Sequence, residues 1–146
     1  MTMQAVSLEP IVRAITVSRP VEDAFRLFTH DIDTWWPTAS HSYGGEDVER
    51  TVFDTRAGGR VYEVQKDGTE RDWAEVVPWE PPDRIVLAWK ICEPTEVEVR
   101  FTAEGEGTRV ELEHRGWERV AEDARAQRDN YAGGWEFVLG KLEAAA

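Results

Sequence analysis

Imidazoles and carboxylates crowd one short stretch of the chain. His30, Asp31, Asp33 and His41 all fall within residues 30–43 (HDIDTWWPTASHSY). Such side chains ligate transition metals, but their spacing here follows no metal-binding pattern. Asp31 and Asp33 read instead as caps of a helix end and of the turn after it, and no metal is expected. His114 stands on the strand face shared by Val110 and Leu112. Facing a cavity, it would orient a polar group of a ligand or exchange a proton with it. Packed in a core, it would need one hydrogen bond near the strand end. No nucleophile or paired carboxylate stands in register with it. Arg13 shares the parity of Ile11, Ile15 and Val17, which aims its guanidinium inward, at a ligand carboxylate or an acid of the protein. Arg60, Glu63 and Glu98 are strand charges expected on the solvent face. Cys92 has no base beside it and reads as an inert thiol. The chain holds no Ser-His-Asp set, phosphate-cradling glycine loop or dinucleotide fingerprint. No residue is assigned as catalytic, and no cofactor is expected.

The 7 tryptophans are the compositional oddity: Trp35, Trp36, Trp73, Trp79, Trp89, Trp117 and Trp135. A buried indole needs a partner for its N–H. So many of them imply either a bulky core or an aromatic-walled cavity. In the cavity reading Trp36, Trp73, Trp89 and Trp135, with Tyr131 one helical turn before Trp135, stack on a flat ligand. In the core reading the same side chains pack the sheet.

These residues must be positioned by regular elements. Residues 11–17 are β-branched between Pro10 and Pro20 and read as a strand. Pro20, Glu22 and Asp23 open a short helix, with Val21, Ala24, Phe25, Leu27 and Phe28 at helical spacing. From residue 46 the period switches to two, and strands are expected over 48–53, 60–66, 71–77, 84–92, 96–102 and 108–115. Asp67-Gly68 marks a hairpin, and Pro78, Pro81 and Pro82 mark a loop. Val97, Val99 and Phe101 alternate with Glu96, Glu98 and Arg100, the signature of a sheet with one dry face. A helical period returns over about 121–143, where Ala121, Ala124, Tyr131, Trp135, Val138, Leu139 and Leu142 form one stripe. Gly133 and Gly134 sit inside that helix at a cost of about 2 kcal/mol in propensity. They fit a backbone that passes close to the sheet or a cavity wall, or else a kink. Strands in a run with helices at the ends indicate α+β.

The chain has 146 residues, the size of one domain, and 17 basic against 29 acidic side chains, a net charge of −12. That surface repels phosphate backbones, so neither nucleic acid nor an anionic membrane is an expected partner. Apolar runs are too short to span a bilayer. The first nine residues lack the basic and apolar regions of a signal peptide, and the protein is expected in the cytoplasm.

The order of elements, together with particular residues, resembles the START-like or SRPBCC superfamily, the helix-grip fold. Within it the chain is similar to the family of the activator of the heat-shock protein 90 ATPase, in its single-domain form. The residues that carry this are Pro20-Val21-Glu22-Asp23-Ala24-Phe25, Trp35-Trp36, Gly58-Gly59-Arg60-Val61, Gly107-Thr108-Arg109-Val110, His114-Arg115-Gly116-Trp117 and Gly134-Trp135-Glu136-Phe137-Val138-Leu139. The resemblance implies one domain over residues 1–146. It also implies a curved antiparallel sheet of about six to seven strands wrapped around the long C-terminal helix, with one or two short helices after the first strand. Family members bind apolar ligands, cyclise or dehydrate polyketides, or assist chaperones, so the fold does not fix the function. The expected function is binding of an apolar or aromatic small molecule between sheet and helix. Its expected contacts are Arg13, Trp36, Trp73, Trp89, His114, Tyr131 and Trp135. Two alternatives stand beside it. One is a cyclase- or dehydratase-like enzyme using His114, with Arg13 or Glu63. The other is a chaperone-related interaction module whose acidic face meets a protein partner. A monomer or weak homodimer is expected.

Overall fold

The computed structural model describes residues 8–91, 94–120 and 123–146, so Cys92 and Ala121 lie outside the described residues. The alternating segments form seven antiparallel strands: β1 (Ile11–Val17), β2 (Val48–Phe53), β3 (Arg60–Gln65), β4 (Glu70–Glu80), β5 (Arg84–Trp89), β6 (Thr95–Glu104) and β7 (Gly107–Arg115). Their spatial order is β1-β7-β6-β5-β4-β3-β2. Consecutive strands pair as hairpins, and β1 closes the sheet by pairing with β7. Helix α1 (Val21–Phe28) follows β1, and helix α2 (Ala124–Ala145) ends the chain. The sheet curls around α2, which is the expected helix-grip arrangement.

Alternation explains the register. Ile11, His114, Val97, Leu87 and Val76 are neighbours in successive strands and form one inward row across the sheet. Ile15, Val110 and Phe101 begin a second row. A buried Leu, Val or Phe contributes about 1.5–3 kcal/mol, and these rows leave a broad apolar face to be covered. Two helices cover it. From α1, Phe25 and Phe28 meet Phe101 at ring-centroid distances of 5.0 and 5.9 Å. From α2, Trp135, Val138, Leu139 and Leu142 are buried. At Asp67-Gly68 the expected hairpin forms, and Gly68 takes a φ of 90°, a left-handed conformation that favours glycine.

Three expectations differ from the structure. Strand β4 runs through Pro78 instead of ending there, because the ladder shifts register between Val76 and Trp79. A bulge removes the need for the N–H that proline lacks. A second shift, where Val61 pairs with Ala74 and Tyr62 with Asp72, leaves Trp73 as the extra residue. Trp73 and Ala74 are consequently both fully buried, against simple alternation. Glu63 is not on the solvent face: it is fully buried on the inner face, in the same parity as Val61. Glu98 is on the outer face but is also buried, beneath Arg84, Arg100 and Arg115.

The Glu98 cluster ties three strands together. Arg84 of β5 donates to its carboxylate at 2.8 Å and Arg115 of β7 at 2.7 Å, while Arg100 of β6 donates from the same strand. Burial alone would raise the carboxyl pKa. The hydrogen bonds from Arg84, Arg115 and Arg100 outweigh it and hold the pKa at about 2. A depressed carboxylate stabilises the fold above its unfolded pKa, and that stability is lost as pH falls through the folded value. The urea midpoint should therefore drop between about pH 4.5 and pH 2. Glu98→Gln should show a lower midpoint at pH 7 and a shallower drop over that range.

Candidate functional site

His114 is the one polar side chain in the inward row, and its neighbours follow from that. A buried imidazole must have both nitrogens satisfied. Trp135 of α2 donates its indole N–H to His114 Nδ1 at 3.0 Å. An indole can only donate, so Nδ1 carries the lone pair and Nε2 carries the proton. That proton goes to Thr95 Oγ1, 2.9 Å away. Burial pushes the His114 pKa down to about 3. The ring is therefore neutral at pH 7, in one tautomer, with both nitrogens engaged. It is packed among Trp117 at 4.4 Å, Tyr131 at 4.9 Å and Trp135 at 6.0 Å. The backbone carbonyl of the same residue accepts the Trp117 indole N–H.

A pocket of about 590 Å³ opens beside this cluster. Its floor is Trp89, Tyr131, Trp135 and Val138, and its roof is the irregular segment from Trp36 to Tyr43. Trp89 donates to the Tyr131 hydroxyl at 3.1 Å, which fixes the two rings nearly edge to face. Trp36 stands edge-on to Trp135 at 5.9 Å and donates to the His41 carbonyl at 2.8 Å. Gly133 and Gly134 form part of the wall. A side chain added at Gly133 would meet nothing within 4 Å, and one at Gly134 would meet only the His41 ring at 3.9 Å. The paired glycines thus leave room at the pocket and do not bring α2 against the sheet.

The roof is held at two points. Glu63 accepts the backbone N–H groups of Tyr43 and Gly44, each at 2.8 Å, the Trp73 indole at 2.8 Å and the Gln65 amide at 2.9 Å. Burial alone would raise the Glu63 pKa, but these hydrogen bonds lower it below the ordinary carboxylate value. Gly44 lets the backbone come this close, since a Cβ there would lie 3.0 Å from the Glu63 carboxylate. At the other point the His41 ring stacks on Phe137 of α2 at 4.9 Å and 12°.

Among the seven expected contacts, Trp36, Trp89, Tyr131 and Trp135 meet at the pocket. Trp73 lies behind Trp36, 5.0 Å away, and His114 lies behind Trp135 and Tyr131. Arg13 does point inward, but to the edge of α2: it lies 3.3 Å from the Glu136 carboxylate and donates to the Ala132 carbonyl at 3.3 Å. Asp33 accepts the Thr51 N–H and Asp31 pairs with His30, in place of the caps expected of them. Among the described residues no group of three His, Cys, Asp or Glu side chains is placed to hold a metal ion. Sequence reasoning missed Ser42, Tyr43, Asp129 and Asn130 at the mouth. It also missed the role of Glu63, although that residue's parity with Val61 was the available signal.

A curled antiparallel sheet around a long C-terminal helix, with a pocket between helix and loop, places the protein in the helix-grip class. The family model described as Activator of Hsp90 ATPase homolog 1-like protein matches residues 18–146, and the chain belongs to that family. No curated protein matches it in sequence. Several solved structures share its fold. The anthrahydroquino-gamma-pyrone synthase Txn09 is 31% identical, over 83% of this chain and 85% of the synthase, with a TM-score of 0.55. The self-sacrificing resistance protein CalC from Micromonospora echinospora is 24% identical over 94% of both chains, with a TM-score of 0.72. The AHSA1-like protein from Aeromonas hydrophila is 22% identical over 91% of this chain and 90% of that one, at 0.62. The last two likenesses concern the fold. Among the described residues no helix is long and apolar enough to cross a membrane.

The state of His114 is directly measurable. In a histidine NMR titration His114 should keep the Nε2–H tautomer and stay neutral from pH 8 to pH 5. The unfolded chain binds that proton below about pH 6.5 and the folded one does not, so His114 makes stability rise with pH between about 3 and 6.5. The roof anchor gives a second expectation. Glu63→Gln replaces one acceptor oxygen by a donor and leaves N–H groups unpaired, at a cost of about 1–3 kcal/mol. Amide exchange at Tyr43 and Gly44 should quicken in the variant. Unchanged protection there would mean that the roof is held elsewhere.

Proposed function

We propose that the protein binds a flat, largely apolar small molecule in the pocket between the 36–43 roof, Trp89 and the N-terminal half of α2. The observation that carries this reading is the aromatic-walled space itself. At about 590 Å³ it falls within the roughly 300–1,000 Å³ typical of small-molecule sites. Two glycines of α2 spend helix propensity at a wall where no neighbour forbids a side chain. Trp36, Trp89, Tyr131 and Trp135 would touch the ligand. Trp73 and His114 would support them from behind, and Arg13 would tie α2 to the sheet.

A second reading, catalysis of the cyclase or dehydratase type, is favoured by the likeness to Txn09, which is named as a synthase. His114 does not suit proton transfer in it. Both its nitrogens are engaged and its basicity is far below neutral. In this reading the reacting groups would be those at the mouth, His41, Ser42 and Tyr43.

Native mass spectrometry beside the denatured mass would show any ligand that co-purifies. The decisive test adds a defined probe, 9-anthracenemethanol, followed by calorimetry. Gly134→Leu places a branched side chain at the pocket wall and should weaken binding by about tenfold or more, the scale of a lost apolar contact surface. Its thermal midpoint should not fall, because glycine is the weaker helix former. Equal affinity in the variant would overturn the location, and no binding by the wild type would overturn the reading.

A further inference from the structure

Most polar groups in the pocket wall are spent within the protein. The Trp36 indole donates to the His41 carbonyl, Trp89 to the Tyr131 hydroxyl and Trp135 to His114. The Ser42 hydroxyl donates to the Thr38 carbonyl and accepts the Gly45 N–H. Asp129 and Asn130 are exposed at the rim. Charges there are paired: Asp129 lies 3.8 Å from Arg128, and Arg71 stands over the Tyr43 ring. One nitrogen of a half-buried ring is left over. His41 Nδ1 meets the Ser40 hydroxyl at 2.6 Å, while among the described residues nothing hydrogen-bonds to Nε2. The ring lies flat on Phe137, and its Cδ2–Nε2 edge turns to Gly134. His41 and Gly134 both line the pocket. A Cβ at Gly134 would touch Nε2 at 3.9 Å, so the glycine keeps open the space that a partner atom of a ligand needs.

The Ser40 contact fixes which proton His41 carries. The Pro37 carbonyl accepts the backbone N–H groups of Ser40 at 3.2 Å and of His41 at 2.9 Å, which fills both its lone pairs. The Ser40 hydroxyl lies 3.5 Å from that oxygen, too far for a good O–H···O bond. Its proton therefore goes to His41 Nδ1. Burial lowers the His41 pKa, so the ring is neutral at pH 7. With Nδ1 accepting, the ring's own proton sits on Nε2.

We propose that His41 selects the ligand's polar group: its Nε2–H donates to a carbonyl oxygen on the edge of a flat aromatic ring system, as in an aryl ketone or a quinone. This rests on the binding reading above and deepens it from shape to hydrogen-bonding class. A ligand that offers only a donor at that place would meet a second N–H.

Three tricyclic probes of nearly one shape test it. At the same ring position 9-fluorenone offers an acceptor, carbazole a donor and fluorene neither. Each is measured by equilibrium dialysis at pH 7. Fluorenone should bind about five- to tenfold tighter than the other two, the scale of one net hydrogen bond. His41→Phe keeps a ring on Phe137 and should bring fluorenone to the affinity of fluorene, with fluorene itself unchanged. His41→Gln, which can place an amide N–H near the lost one, should restore part of the preference. Nitrogen NMR of the unliganded protein should show His41 in the Nε2–H form. A preference for carbazole, or an Nδ1–H tautomer, would overturn the ligand class. Equal affinity for all three probes, or a fluorenone preference that survives His41→Phe, would overturn the role of His41 while pocket binding stands. If none of the three binds, the binding reading falls and this inference falls with it.

Discussion

One hydrogen bond sets where the C-terminal helix lies on the sheet. The inward row that runs from Ile11 to Val76 contains a single polar member, His114, and the helix must bring it a donor or leave a nitrogen unpaired. Trp135 brings that donor, at 3.0 Å. An orphaned buried nitrogen costs on the order of 1–3 kcal/mol, so sliding α2 along the sheet is penalised beyond the loss of apolar contact. Hydrophobic burial is non-directional and would tolerate several placements of Val138, Leu139 and Leu142. The Trp135–His114 contact selects among them.

Glu63 does for the roof what His114 does for the helix. It collects four donors from β3, β4 and the 36–45 segment, and so pins an irregular stretch that has no ladder of its own. The pocket is the gap between these two anchored pieces. Neither anchor reaches into it, which leaves its walls to rings and its mouth to hydroxyl, amide and carboxylate groups. Packing and site are thus separated here: the buried titratable groups position the elements, and the half-buried ones face the cavity.

The fold was largely legible in the sequence. Alternation in residues 96–115 and the stripe of α2 are periodic over many residues, and the expected strands match the observed ones within a few positions. The deviations sit where periodicity is interrupted. Pro78 and Trp73 occupy register shifts in β4, and a bulge inverts parity without any residue type announcing it. The site was legible in part. Four of the seven named contacts share the pocket, because large aromatics at strand and helix spacing point inward whatever they then meet. The parity of Arg13 gives its inward direction, yet its partner is Glu136, a pairing that depends on helix rotation. A charge on a strand usually faces water, so nothing in the type of Glu63 signals burial. Its burial is intelligible only once the roof segment folds over it, a contact some 20 residues away in the chain.

The tryptophans also have a collective property. Trp35, Trp36, Trp135 and Trp89 form a continuous series, with Trp73 branching from Trp36, and ring centroids are 5.0 to 5.9 Å apart at each contact. At such separations electronic excitation passes between indoles far faster than it is emitted. Light absorbed by Trp35, deep beneath α1, is therefore shared with Trp89 at the pocket floor. A quencher stacked on Trp135 or Trp89 at the cavity therefore draws down emission that began on the other rings of the set.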